Sequence, residues 1–198
     1  MKKKKARKNP WTTLAKKPVF ENAWIKLSHH DVLTPSGTKG EYGLVEFKNL
    51  AVGVLAIDER DRVLLVGQWR YPLQEYSWEL PEGGSPKGES ALATAKRELK
   101  EETGYTARRW SKLLDLALSN SVTDERAVIF LASEFEAGES EPEDTEELEV
   151  KWMPLKKAIR MAEKGEITDA ISVAALLRAA TLRRPAVRKK VANRRARD

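Results

Sequence analysis

The segment Gly83–Tyr105, GGSPKGESALATAKRELKEETGY, constrains this 198-residue chain more than any other. Leu92, Ala95 and Leu99 recur at three- and four-residue spacing, which predicts an amphipathic helix over Ser90–Thr103. Gly104 follows as its stop. The helix carries Glu98, Glu101 and Glu102 at i, i+3 and i+4, so three carboxylates share one face with roughly 5–6 Å between Cβ atoms. Most Glu-rich helices simply present a solvated face. Three like charges this close repel, however, and a hard divalent cation resolves the repulsion, because Mg²⁺ takes its oxygens from a few carboxylates and from substrate phosphates. Arg97 stands four residues before Glu101, and Glu89 lies near the helix start. An Arg–carboxylate pair there would fix the preceding loop against the helix. Gly83 and Gly84 allow a sharp loop whose backbone can approach a metal or a phosphate.

The rest of the chain frames this helix. Residues 1–17 read as a basic, flexible lead-in. An extended region starts at Val19, turns at Thr34-Pro35-Ser36-Gly37 and resumes at Tyr42–Phe47. The apolar runs Leu50–Ile57 and Val63–Trp69 around Asp58–Asp61 read as a hairpin. Residues 71–89, rich in Pro and Gly, read as a loop. Strand-like runs follow at Leu113–Leu118 and Ala127–Leu131, then an acidic stretch and VKWMP. Two helices close the body, Leu155–Lys164 ending at Gly165, and Asp169–Leu182 capped by Thr168 or Asp169. This order predicts one mixed α/β (α+β) domain over residues 18–182, with basic tails at 1–17 and 183–198.

Charge and composition narrow the function. The net charge is +6, yet residues 1–8 carry six positive charges and residues 183–198 carry +7, leaving −7 on the body between them. An acidic body suits a protein that holds divalent cations. The basic tails are candidates for nucleic-acid contact, although neither interleaves aromatics for base stacking. With no cysteine, zinc–thiolate sites and cysteine nucleophiles are excluded. The longest apolar run, Ala51–Ile57, is far short of the ~20 residues of a membrane helix. A cytoplasmic setting without membrane attachment is the expectation. His29 and His30 are the only histidines and point to opposite sides of a strand, which suits chemistry without a histidine base.

Gly83, Glu89, Arg97, Glu98, Leu99, Glu101, Glu102 and Gly104 resemble the Nudix box: Gly, five residues, Glu, seven residues, Arg-Glu, aliphatic, any, Glu-Glu, any, Gly. Seven fixed identities at ~7% usage coincide by chance on the order of 10⁻⁸ per starting position. Only Tyr105 departs, where the pattern prefers an aliphatic residue. The resemblance implies a mixed β-sheet between helices, preceded by an N-terminal strand region. It implies hydrolysis of a nucleoside diphosphate linked to another group, with Mg²⁺ or Mn²⁺. The metal ligands would be Glu98, Glu101, Glu102 and the Glu82 carbonyl, with Gly83, Glu89, Arg97 and Gly104 shaping the box.

The stretch QWRYPLQEYSWELPEGG (Gln68–Gly84) is similar to the ADP-ribose and nucleotide-sugar pyrophosphatase branch of that family. By this likeness Arg70 would grip the substrate diphosphate, Glu79 would contact the base or order the loop, and Trp24 or Trp78 would stack on the base. The general base would lie on the acidic stretch 141–149, with Glu146 first and Glu143 second, and with Glu101 a further catalytic carboxylate. Such enzymes are commonly homodimers that exchange N-terminal strands. The segment Tyr105–Glu141 lacks the proline of dedicated ADP-ribose enzymes, so ADP-glucose and GDP-mannose are expected alongside ADP-ribose. The competing expectation is an RNA-binding protein or RNA 5′-end pyrophosphohydrolase that uses the basic tails.

Overall fold

The computed structural model describes residues 8–140 and 147–183. Ten strands and three helices are seen among them: β1 (Thr12–Glu21), β2 (Ile25–Leu33), β3 (Lys39–Phe47), β4 (Leu50–Ala56), β5 (Arg62–Arg70), β6 (Glu75–Glu79), β7 (Glu82–Ser85), α1 (Ala91–Thr103), β8 (Tyr105–Ala117), β9 (Arg126–Ala137), β10 (Glu149–Pro154), α2 (Leu155–Lys164) and α3 (Ala170–Arg183). They form an antiparallel sheet β1-β2-β3, an antiparallel sheet β10-β5-β6, and a mixed sheet β7-β4-β9-β8 in which β4 and β9 run parallel.

Strand β4 shows how the layers are built. Alternate side chains of a strand point to opposite faces. Val52, Val54 and Ala56 therefore pack with Ala95 and Leu99 of α1 and with Phe130. Leu55 faces the other way, into a core with Leu65, Leu80, Ile129, Leu155, Ile171 and Leu176, which belongs to α2 and α3. The sheets thus lie between α1 on one side and α2 and α3 on the other, as the resemblance implied. Gly53 lets α3 come close, because a Cβ there would sit within 3.0 Å of the Ile171 side chain. Both closing helices stand where the sequence placed them, α3 shifted by one residue at each end. The apolar runs on either side of Asp58–Asp61 are strands β4 and β5, but they are not the expected hairpin: beyond the single bridge Ile57↔Val63 the chain crosses between sheets, β4 pairing with β7 and β9 and β5 with β6 and β10.

Four further expectations are corrected. Residues 12–17 are not a flexible lead-in but the first half of β1, paired with β2 from Thr12↔Leu33 to Glu21↔Lys26. All ten β1 residues are exposed, so backbone pairing holds the strand and leaves no apolar alternation to read. The extended region from Val19 is broken at residues 22–24, where the Asn22 side chain accepts hydrogen bonds from the Trp24 and Ile25 amides. The loop at 71–89 contains β6, paired with β5, and β7, paired with β4 through the two glycines. Strand β8 is also far longer than Leu113–Leu118, because its outer residues alternate against β9 while staying largely solvated.

Candidate active site

Helix α1 starts where Ser90 Oγ accepts the Ala93 amide and ends at Gly104, whose φ of 74° lies in the left-handed region. Burial of Ala95 and Leu99 fixes its rotation and turns Glu98, Glu101 and Glu102 toward β7. Glu102 is almost fully buried, and its Oε2 accepts the Glu82 amide at 3.1 Å. Glu98 lies against Gly83, where any Cβ would come within 3.0 Å of its carboxyl. Glycine at 83 is therefore a matter of space for Glu98.

Arg97 joins the loop to the helix as the spacing predicted. Its guanidinium reaches Glu89 at 3.2 Å, Glu98 at 2.9 Å, Glu101 at 2.7 Å and the Gly84 carbonyl at 3.2 Å. Arg97 and a second hydrogen bond from Thr94 hold the Glu89 carboxyl below its ordinary range. Among the described residues, no three His, Asp or Glu side chains are gathered into a metal cage. The donor set nonetheless fits a hard cation: three carboxylates line one cleft beside the two glycines of β7, and they provide only oxygen ligands.

The cleft has two halves that share Trp24, Asn49, Glu82, Gly83 and Gly84. The carboxylate half, about 350 Å³, is closed by Arg97, Glu98, Glu101 and Glu102. The other half, about 570 Å³, is lined by Phe47, Ala51, Arg70, Leu118, Glu125, Asp169 and Ile171. Trp24 is 68% exposed on the β1–β2 turn, at the boundary of both halves. Trp78, the alternative stacking residue, lies instead beneath Lys151 and against Tyr76, outside the residues lining the cleft.

Half-buried Arg70 meets buried Glu79 in an ion pair. Arg70 Nε bonds both Glu79 oxygens at 3.0 Å, Nη2 bonds Glu79 again, and Nη2 also reaches Glu82 Oε1 at 3.0 Å. Glu82 Oε2 is sealed from solvent and accepts no hydrogen bond from the described residues. Burial, then the charges of Asp169 and Glu79, push the Glu82 carboxyl well above its ordinary range despite Arg70. Burial, then Asp124 and Asp169, push Glu125 up as well. Asp169 Oδ2 accepts the Ser172 amide at 2.7 Å, so it caps α3 while lining the cleft.

Of the residues expected from the sequence, Gly83, Arg97, Glu98, Glu101, Glu102, Arg70 and Trp24 line the cleft, and Glu79 holds Arg70 without lining it. The sequence reading missed Asn49, Glu125, Asp169 and the side chain of Glu82 as cleft residues. Asp169 carried a capping signal only, and no spacing pattern ties the other three to α1. Glu143 and Glu146 lie outside the described residues, as do residues 1–7 and 184–198 of the basic tails.

A NUDIX domain model matches residues 47–176, two thirds of the chain and the whole of this cleft except Trp24. The chain belongs to the Nudix family. A second model, the nucleoside diphosphate sugar hydrolase N-terminal domain, matches residues 11–45, which are β1, β2 and most of β3. Among curated Nudix relatives, the ADP-ribose pyrophosphatase of Bacillus subtilis is 36% identical over 160 residues, covering 80% of this chain and 86% of that protein. The ADP-ribose pyrophosphatase of Mycobacterium tuberculosis is 32% identical over 168 residues, covering 83% and 81%. A solved structure described as an ADP compounds hydrolase shares the fold with a TM-score of 0.80 at 22% identity, over 89% of this chain and 96% of that one. No helix among the described residues is long and apolar enough to cross a membrane.

Proposed function

We propose that this Nudix hydrolase cleaves the diphosphate of a nucleoside diphosphate sugar to a nucleoside monophosphate and a sugar phosphate. The observation that carries the reading is the convergence of Glu98, Glu101 and Glu102 on the glycine pair Gly83-Gly84 of β7, in a cleft that continues past Glu82 to an exposed tryptophan. The names of the B. subtilis and M. tuberculosis relatives put ADP-ribose first among substrates. ADP-glucose and GDP-mannose stay in the test because of the proline-free stretch after the box. The RNA reading draws no support from the fold or the relatives.

Glu98, Glu101, Glu102 and the Glu82 carbonyl would hold Mg²⁺, with Mn²⁺ a substitute. The bound ion would supply charge neutralisation of the diphosphate and a water of lowered pKa. The protein's own part is to position and to move a proton. Arg97 sets the spacing of Glu98 and Glu101, and the Glu82 amide sets Glu102. Trp24 offers a face for the base. Glu146, or else Glu143, takes the proton of the attacking water, with Glu101 the nearest substitute inside the box. Arg70, fixed by Glu79, presents its remaining donors at the entrance to the wider half.

Exposed Trp11, Leu14, Val19 and Phe20 on the N-terminal sheet support a homodimer formed through that sheet, and a cytoplasmic setting accords with the absence of cysteine. Incubation with ADP-ribose, ADP-glucose and GDP-mannose, with Mg²⁺ or with EDTA, tests the reading by product mass. Metal-dependent AMP or GMP is the expected product. Glu102→Gln is expected to abolish turnover with the fold intact, since the amide oxygen can still accept the Glu82 N–H. Wild-type turnover by that variant would remove Glu102 from the chemistry.

A further inference from the structure

We infer that the wider half of the cleft is a sugar subsite in which Glu82, Glu125 and Asp169 select a neutral, hydroxyl-rich sugar and reject an anionic one. The inference rests on the nucleotide-sugar reading and adds which sugars the site admits.

Charge placement comes first. Three carboxyl groups line this half, from β7, from the segment before β9 and from the start of α3. Arg70 is the one cation among the described residues lining it, and it is already bonded to Glu79 and Glu82. Asp169 lies close enough to both Glu82 and Glu125 to push their carboxyls up. A diphosphate seated here would meet this charge uncompensated. It belongs in the neighbouring half, where a metal-binding set is available. The wider half is left for an uncharged part of the substrate.

Hydrogen-bond polarity then separates sugar from base. The carboxylate oxygens that Glu125 and Asp169 offer accept hydrogen bonds and do not donate them. A nucleobase edge mixes donors and acceptors, and its ring nitrogens would face oxygen lone pairs. A sugar presents several O–H donors and a C–H face suited to Ala51, Leu118 and Ile171. Glu82 Oε2 is an independent sign of a missing partner, because buried polar atoms in folded proteins are almost always satisfied. A sugar hydroxyl meets that need. The exposed aromatics Trp24 and Phe47 stand at the mouth, where a base can stack without entering.

The test compares ADP-glucose with ADP-glucuronate, which differ only by a carboxylate at C6, using the full chain with Mg²⁺ and reading kcat/KM. The wild type is expected to disfavour the uronate by about tenfold or more, the effect of one unfavourable charge contact of ~1.4 kcal/mol. Glu125→Gln should narrow that ratio at least threefold. Asp169→Asn, which keeps an N-cap of equal quality, should do the same. Equal turnover of the two sugars by the wild type overturns the subsite, as does an unchanged ratio in both variants. Turnover of ADP-ribose without turnover of ADP-glucose also overturns the subsite, and failure to hydrolyse all three compounds overturns the nucleotide-sugar reading itself.

Discussion

Gly83→Ala isolates the geometry of the carboxylate cluster from its charge. Gly83 is not among the glycines with positive φ, so alanine meets no backbone penalty there. The added Cβ would land within 3.0 Å of the Glu98 carboxyl carbon and both of its oxygens, a separation real Cβ atoms do not show. The obstacle is the end of a flexible side chain, so Glu98 yields and the strand does not. The stability cost is that of mild overpacking, about 1 kcal/mol, which for a chain this size lowers Tm by about 2–4 °C. Catalysis suffers more. Glu98 must retreat by roughly 1 Å, and a displacement of that size in a positioned group costs on the order of 100-fold.

The assay is kcat/KM on ADP-ribose with saturating Mg²⁺, beside Tm from calorimetry. Gly84→Ala is the matched control. Its Cβ would meet the Asn49 amide at 3.0 Å, touching no carboxylate, and a loss under about fivefold is expected. Activity of Gly83→Ala within threefold of wild type would refute the argument that glycine is required here by Glu98. A Tm fall far beyond the expected range would refute its premise that the side chain, rather than the backbone, gives way.

Three further perturbations read other parts of the cleft. A carboxyl whose folded pKa lies above its unfolded value of 4.5 makes the fold lose stability as pH rises from that value through the folded pKa, and burial, Asp169 and Glu79 place Glu82 in this class. The Tm of Glu82→Gln minus that of wild type, in EDTA, should therefore grow more positive across that window and then level off; a flat difference contradicts the assignment. Arg97→Ala leaves Glu98 and Glu101 facing each other without their shared cation, at a cost of about 1–2 kcal/mol for these half-exposed pairs. Mg²⁺ should then raise the Tm of the variant more than that of wild type, and an equal rise speaks against a cation seated among these carboxylates. Trp24→Ala should raise KM for ADP-ribose by about 5–50-fold with little change in kcat, the loss of one stacking face of ~1–2 kcal/mol; an unchanged KM removes Trp24 from base binding.

Legibility from sequence followed the range of the interactions. Helix α1, its glycine stop and the Arg97 bridge are local, spanning four to eight residues, and the pattern of residues 83–104 carries them in full. Strands β4 and β5 were equally readable as strands because both are buried apolar runs, but their pairing was not, since a short charged turn suggests a hairpin and each strand instead joins a different sheet. Strand β1 was not, since its ten exposed residues obey no buried face. Strands β6 and β7 lie in a Pro- and Gly-rich stretch whose composition reads as loop, and pairing with β5 and β4 overrides it. The wider half of the cleft is the extreme case. Its carboxyls at 82, 125 and 169 come together only through the packing of α3 on β4 and the return of the chain before β9.

The departures from ordinary folding preference also point to one place. Three like charges on one helix face, a strand interrupted by two glycines, and a buried carboxyl oxygen with no partner each lower stability or forgo packing. A chain selected for stability alone would scatter such features or lack them. Here all three border the same pair of cavities, while the two hydrophobic clusters that flank the sheets are ordinary aliphatic cores. Local rules broken together at one cleft, and kept elsewhere in the core, mark where this protein trades stability for chemistry. The exposed apolar residues of β1 break a different rule on a different surface, and association with a second copy would cover them without calling on the cleft's carboxylates.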